Sequence, residues 1–324
     1  VIVDRIGEIA DGVHMLGHRA VPIFLVDGER PALFDAGLAF LGPMYARQIR
    51  QVLGHRQPAW CFLTHSHFDH CGAVAYLKTQ FPQMQVVCSP KAANVFGRPN
   101  AIALISELNR FAAGMAPEFG VQPEDVRFEP FSVDATAGEG DCFEIAPDVT
   151  VHALETPGHT RDFLAYTIPR RKLLVASEAL GTPDETGYIV TDCLVDYDIH
   201  YQSMQRLSML DAEILCLGHI YSCTGGDARH HMAESLAQSR RFRSMVENCL
   251  IEESGNIPAV MQRVKAYEWD GKSGLRQPEP AYVLNLEARV KTVLRKWERT
   301  RSVAPPLNKA AGCLFHSGTE NDRT

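Results

Sequence analysis

Residues 65–70 of this chain read His-Ser-His-Phe-Asp-His and follow, after Thr64, on the apolar run Trp60-Cys61-Phe62-Leu63. Three imidazoles and a carboxylate in six positions form a set of metal ligands. Neutral ring nitrogens and carboxylate oxygens bind divalent cations and leave coordination positions open for water. A buried strand that ends abruptly in such groups delivers them to a sheet edge, where a site can form. The bland alternative is a chance cluster of solvated side chains. It would have to gather three of only 13 histidines and an acid into six positions of a 324-residue chain.

The same arrangement recurs. The apolar run at 149–154 leads into Glu155-Thr156-Pro157-Gly158-His159, the run at 173–176 into Ser177-Glu178, and the run at 214–217 into Gly218-His219. Four predicted strands therefore each end in a metal-capable side chain, which is much harder to obtain by chance than any single histidine.

The elements needed to position these groups are legible from periodicity. Short strands separated by glycine-bearing turns are expected at 2–3, 13–15, 23–26 and 32–34, closed by Asp35-Ala36-Gly37. A helix is expected at 45–53, another from about 72 to 78 behind the histidine motif, and a strand at 84–88. This alternation describes a layered α/β domain. Residues 91–125 interrupt it as a helical insertion, with a helix at 101–115 whose apolar face is Ile102, Ile105, Leu108, Phe111 and Ala112. Strands resume at 127–131, 142–145, 149–154, 163–168 and 173–175, and a helix at 201–210 precedes the strand at 214–217. From 228 on the pattern is helical (228–252, 257–267, 281–298), and from 301 to 324 periodicity is lost, as in a disordered tail. The expected organisation is a catalytic domain over 1–226, helices over 227–300 and the tail.

Composition narrows the function classes. Hydrophobic residues at 45% and charged residues at 22% describe an ordinary globular chain. A net charge of −7 argues against a nucleic-acid partner, which would need a basic stripe. No apolar run approaches the ~18 residues of a membrane span. Nine cysteines without a C-x-x-C spacing fit reduced, buried thiols. With no secretory leader visible, a cytoplasmic location is the expectation, although a chain beginning at Val1 leaves a trimmed leader open. Cys71 reads as a buried helix residue and His152 as a structural histidine. His200, Tyr197, Tyr201 and Tyr221 are candidate substrate contacts beside the ligand-bearing segments. His14, His18, His55, His230, His231 and His316 read as surface residues.

With these residues in hand, the chain resembles the metallo-β-lactamase superfamily. The motif at 64–70, Gly158-His159, the acid at 178 and Gly218-His219 match the family's ordered ligands over about residues 3–225, and Asp35-Ala36-Gly37 matches its Asp-x-Gly turn. The resemblance implies an αββα sandwich, here with a C-terminal helical extension, and a dinuclear centre at one edge. His65, His67 and His159 would hold one divalent ion, Asp69, His70 and His219 the other, and Glu178 would bridge them. Zinc is the first expectation, with iron or manganese as alternatives. A bridging hydroxide would attack an ester-type bond, and Asp69 would also relay the proton, the one catalytic role assigned to a side chain.

One residue departs from the pattern. Most of the family has Asp where this chain has Glu178; a retained bridge is expected, the alternative being a weakened or single-ion site. The motif followed by Cys71-Gly72, the 107–110 helix and the helical C-terminus resemble the branch containing the quinolone-signal response protein and the glyoxalase II-like thioesterases. That likeness implies helices that cover the active site and a small-molecule thioester or other carboxylic ester as substrate. The competing readings are a non-catalytic or weakly catalytic regulatory or binding protein on the same fold, a lactonase and a phosphodiesterase. A homodimer is compatible with the sequence.

Overall fold

A computed structural model describes residues 1–303. Its first sheet runs, in spatial order, Gly7–Ala10, Val13–His18, Val21–Val26, Ala32–Phe34, Trp60–Phe62, Gln85–Cys88 and Ala135–Thr136. Pairing is antiparallel up to Ala32–Phe34 and parallel beyond it. The second sheet runs Ile2–Val3, Ser222–Thr224, Ile214–Cys216, Leu173–Val175, Leu164–Ile168, Val149–Glu155 and Cys142–Ala146. Only Leu173–Val175 and Ile214–Cys216 pair in parallel there.

The period-2 side-chain pattern of the strands builds the layers. Phe24, Val26, Phe34, Phe62, Val151, Leu164, Tyr166 and Val175 point between the sheets and form one core. Phe34, Phe62 and Tyr166 sit within 5.2–5.7 Å of one another, and Phe143 stands edge-on to Phe62 at 5.1 Å. The alternate residues Ile23, Leu25, Leu33, Cys61 and Val86 face outward onto helices Gly42–Leu53, Val74–Gln80 and Pro99–Gly114. On the other side Ala165, Leu174 and Leu215 pack on helix Tyr197–Ser208. The result is the expected αββα sandwich. Helices Gly226–Glu252, Ile257–Glu268 and Glu279–Val303 form a further core with Cys193 and Tyr197. No helix among the described residues is long and apolar enough to cross a membrane.

Several expectations need correction. Residues 127–131 form no strand. Pro130 cannot donate to a ladder, and the segment is anchored instead by Phe128 and Phe131, whose rings pack on each other and, through Phe131, on Phe96. In helix Pro99–Gly114, Phe111 is 58% exposed, and the buried stripe is Ile105, Asn109 and Ala112. The helix behind the motif starts within it, at Phe68–Cys71, and resumes at Val74–Gln80. His231 is buried, because helix Gly226–Glu252 packs against Leu180, whose carbonyl accepts from the His231 ring at 3.2 Å. The last helix runs to Val303, into the stretch expected to be aperiodic; the tail beyond it, with His316, lies outside the described residues.

Candidate metal centre

The strand Trp60–Phe62 is buried between two parallel neighbours, and its ladder continues one residue further through Leu63 N to Val87 O at 2.8 Å. At Thr64 the chain crosses to the other sheet: its carbonyl accepts from Leu164 N at 2.8 Å, while Tyr166 Oη donates to Leu63 O at 2.9 Å. The two sheets are thus stitched together where the histidine motif begins. Asp35, in the left-handed region at φ 62°, turns its carboxylate under this junction. It accepts from Thr64 N at 2.8 Å, from Thr64 Oγ1, and from His70 Nδ1 at 2.8 Å. Two further side chains hold the loop. Asp162 accepts from Ser66 N at 2.8 Å, and buried Asn109 accepts from Ala39 N at 2.9 Å and donates to Phe68 O at 3.1 Å.

All seven sequence-expected residues meet at this edge. Within the set, His65, His67 and His159 bring one donor atom each within 4.8 Å of one another, as do His65, His70 and Glu178, and Asp69, His70 and His219. Glu178 lies at the centre. Its Oε1 is 2.7 Å from Nε2 of both His70 and His219, and its Oε2 is 3.9 Å from His65 Nε2. Ser177 Oγ donates to Oε2 at 2.7 Å. The longer acid is accommodated because residue 218 has no side chain: a Cβ there would stand 2.8 Å from Glu178 Oε1. Asp69 Oδ2 is 3.8 Å from both His70 and His219 Nε2, with the side chain 19% exposed.

The hydrogen bonds orient the rings. His159 Nδ1 donates to Asp192 O at 2.9 Å and His219 Nδ1 to Ala20 O at 2.6 Å; a carbonyl can only accept, so the tautomer at those atoms is fixed. His70 Nδ1 faces Asp35, and His65 Nδ1 faces Thr64 Oγ1 at 2.9 Å. In each ring Nε2 is the nitrogen left to face the centre. The Nε2 atom of His65 is buried and makes no hydrogen bond, while that of His70 faces Glu178 Oε1 at 2.7 Å. His159 Nε2 and His67 Nδ1 approach to 3.1 Å. Converging ring nitrogens, that of His65 buried without a hydrogen bond, and a central carboxylate fit divalent cations bound by nitrogen and oxygen donors.

The electrostatics divide the set in two. Burial holds His65 well below the ordinary imidazole range, lowers His67 to about 4 and also lowers His159, so these rings are neutral and ready to ligate. Burial also pulls on His70 and His219, but the Glu178 carboxylate, joined by Asp69 and at His70 by Asp35, outweighs it and both are raised. Burial pushes Glu178 up, yet the charge of His70 and the hydrogen bonds from His219 and His70 hold it well below the usual carboxylate range.

The other candidates fall elsewhere. Tyr197 Oη donates to Ser239 O, Tyr201 Oη accepts from Arg240, and Tyr221 Oη lies 3.4 Å from His231 Nδ1, so these three face the C-terminal helices. His200 is buried beneath Gly158, with no hydrogen bond at either ring nitrogen. Cys71 is buried, and burial pushes its thiol well above the usual range, while His152 bonds to Thr150 Oγ1 at 2.9 Å. Asn109, Asp162 and Asp192 were missed by the sequence reading because two act on backbone groups and Asp192 acts with its own carbonyl. Only Asn109 left a signal, a polar residue at the centre of an otherwise apolar helix stripe.

A cavity of about 570 Å³ is lined by His18, Arg19, Met115, Glu185, Trp269 and Leu275 among others, and by none of the seven residues of the centre. Its wall at Arg19 adjoins Ala20, the acceptor of His219, and Arg19 O itself accepts from Ile220 N at 2.7 Å.

Comparison with known proteins agrees with this geometry. The family whose model matches the chain is the metallo-beta-lactamase superfamily, over residues 16–219. A hydroxyacylglutathione hydrolase of Rhodopseudomonas palustris is 24% identical over 63% of this chain and 64% of its own length. One from Rhizobium meliloti is 29% identical over 49% of this chain and 47% of its own. The chain thus spans less than two thirds of the length of these two relatives. Among solved structures, a beta-lactamase domain protein from Burkholderia ambifaria superposes with a TM-score of 0.65 at 15% identity, covering 92% of this chain and 89% of that one. A metallo-beta-lactamase family protein from Thermus thermophilus gives 0.63 at 18% identity, covering 92% and 96%. At these identities the superpositions show the fold alone.

Proposed function

The chain belongs to the metallo-β-lactamase superfamily of metal-dependent hydrolases, and from that premise we propose that it is a dinuclear hydrolase of carboxylic esters, thioesters foremost. The observation that carries the reading is the position of Glu178. One carboxylate reaches Nε2 of His70 and His219 at 2.7 Å and faces His65 at 3.9 Å, so it stands between both donor sets. His65, His67 and His159 would hold one ion and Asp69, His70 and His219 the other, with Glu178 shared. Nitrogen and oxygen donors without thiolate suit zinc, with iron or manganese as alternatives. Bound there, a pair of divalent ions would lower the pKa of water toward 7 and polarise a carbonyl oxygen.

The chain's own residues do the rest. Asp35 and the carbonyls of Ala20 and Asp192 keep the His70, His219 and His159 rings from turning. Asp69, partly exposed at the rim, would take up the proton released from water on the carboxylate oxygen that it does not give to the ion, and pass it to solvent. A departing thiolate needs little help from an acid, since thiols ionise near 8.5, which suits a site whose one rim carboxylate is a proton acceptor. The two hydroxyacylglutathione hydrolases among the relatives support a thioester. The cavity at Arg19 would lodge the rest of the substrate, with the loop between the last two helices, through Trp269 and Leu275, as its cover.

The test is steady-state hydrolysis of acyl-glutathione and acyl-coenzyme A thioesters, lactones and phosphodiesters by the zinc-loaded protein and by His67→Ala. Thioester turnover should exceed the others in kcat/KM and vanish with metal binding in His67→Ala. Thioester turnover unchanged in that variant, or none in the loaded protein, would overturn the reading.

A further inference from the structure

The C-terminal helices contribute none of the seven residues at the centre, yet one of them reaches it through a single strap. Residues 191–195 run between the Gly158-His159 turn and helix Glu279–Val303. On the helix side, Thr191 O accepts from Arg289 Nε at 3.1 Å and Val195 O from Arg295 Nη2 at 2.9 Å. Cys193 O lies 3.2 Å from Thr292 Oγ1, which also reaches its own helix at Arg289 O. On the opposite side, Asp192 O accepts from His159 Nδ1 at 2.9 Å and Val195 N donates to Gly158 O at 3.0 Å. The carbonyls at 191, 193 and 195 thus face the helix, and the one at 192 faces the ligand ring. Two successive three-residue turns, Cys193 N donating to Thr191 O at 3.0 Å and Leu194 N to Asp192 O at 3.1 Å, tighten the strap while it presents alternate carbonyls to its two partners.

Arg289 is itself immobilised. Its guanidinium, 1% exposed, donates two bonds to Glu268 at 2.8 and 2.9 Å and lies over the Phe242 ring at 4.0 Å. Glu268 also accepts from Tyr188 Oη at 2.7 Å and Tyr282 Oη at 2.9 Å, so four donor contacts fix one buried carboxylate. A buried charge pair satisfied this fully is rigid and specific in direction. The third guanidinium nitrogen, Nε, is left pointing at the strap.

We propose that Arg289, set by Glu268, together with Arg295, is a positioning device for the metal centre: it holds the 191–195 strap so that the Asp192 carbonyl aims His159 Nε2 at His65 and His67. This rests on the dinuclear reading above. The device acts on one half of the centre only, because His70 is held by Asp35 and His219 by Ala20. Outer partners of ligating histidines typically change metal affinity about 10–100-fold when lost. Arg289 and Arg295 act one step further out, so an effect of about 10-fold on one ion is expected.

The experiment is chelator competition on the full chain with zinc, resolved into two equivalents, with the cobalt-substituted electronic spectrum as a second readout. The variants are Arg289→Met and Arg295→Ala. Arg295 is exposed, so its variant should keep the wild-type unfolding midpoint and decides the matter if Arg289→Met does not fold. One equivalent about 10-fold weaker, the other unchanged and an altered cobalt spectrum support the device. Both equivalents at wild-type affinity in Arg295→Ala overturn it, and so do both weakened equally, which would mark a merely structural role. A wild-type chain that takes up no metal would instead overturn the dinuclear reading, a result distinct from either.

Discussion

Replacing Gly218 by alanine isolates the role of Glu178 without touching a ligand. The backbone at 218 is compatible with a side chain, so the perturbation is steric alone. The added Cβ would stand 2.6 Å from Ser177 Oγ, 2.8 Å from Glu178 Oε1 and 3.1 Å from Glu178 Cδ, and real Cβ atoms essentially never come within 3.0 Å. Glu178 cannot yield freely, since Ser177 and His219 both bind it at 2.7 Å. Overpacking of this kind destabilises by about 1–3 kcal/mol, which is the loss expected for the metal-free protein. Displacing the central carboxylate should also weaken metal binding about 10–100-fold. At metal concentrations above saturation, a 100-fold loss removes up to about 2.7 kcal/mol more. The assay is denaturant unfolding with and without zinc, alongside chelator competition. Gly226→Ala is the control, because a Cβ there meets nothing within 4 Å; it should stay within about 0.5 kcal/mol of wild type. If Gly218→Ala matches that control in midpoint and metal affinity, Glu178 is not the group around which the centre is built.

Asp35→Asn keeps the shape under the sheet junction but offers an amide where His70 Nδ1 finds a carboxylate at 2.8 Å. Metal affinity in competition with a chelator should fall about 10–100-fold, and an unchanged affinity would remove Asp35 from the account. His231 gives a pH test away from the centre. Burial lowers its pKa to about 4 against 6.5 unfolded, so the unfolded chain takes up the proton first. Its stability contribution is complete above about 6.5 and is lost as pH falls toward 4, a change of about 3 kcal/mol. His231→Gln should flatten that part of the acid limb in urea unfolding at stepped pH; an equally steep limb would refute the assignment.

The convergence of the seven candidate residues was legible because they cluster just past the ends of apolar runs, and a strand end is the one place where a sequence shows both position and exposure. The layers were legible for the same reason: 23–26, 60–62 and 85–88 alternate between two buried faces. What escaped acts through the backbone. Asp192 serves with its carbonyl and Asp162 serves a peptide N–H, so neither side-chain pattern carries a signal. Arg289 stands among Leu286, Val290 and Val293 on a buried helix face, and an arginine in such a stripe implies a buried acid without saying which. Glu268, its partner, lies in another helix, beyond reach of any local pattern. His231 was misread because a long polar helix looks solvated until the surface it lies on is known.

Metal content per chain, by elemental analysis of protein purified without chelator, tests the central claim most directly. Two equivalents of zinc, iron or manganese per chain are expected, with Glu178→Ala reduced to one or none. One equivalent or none in the wild type would contradict a shared Glu178 and favour a binding or regulatory role for this fold.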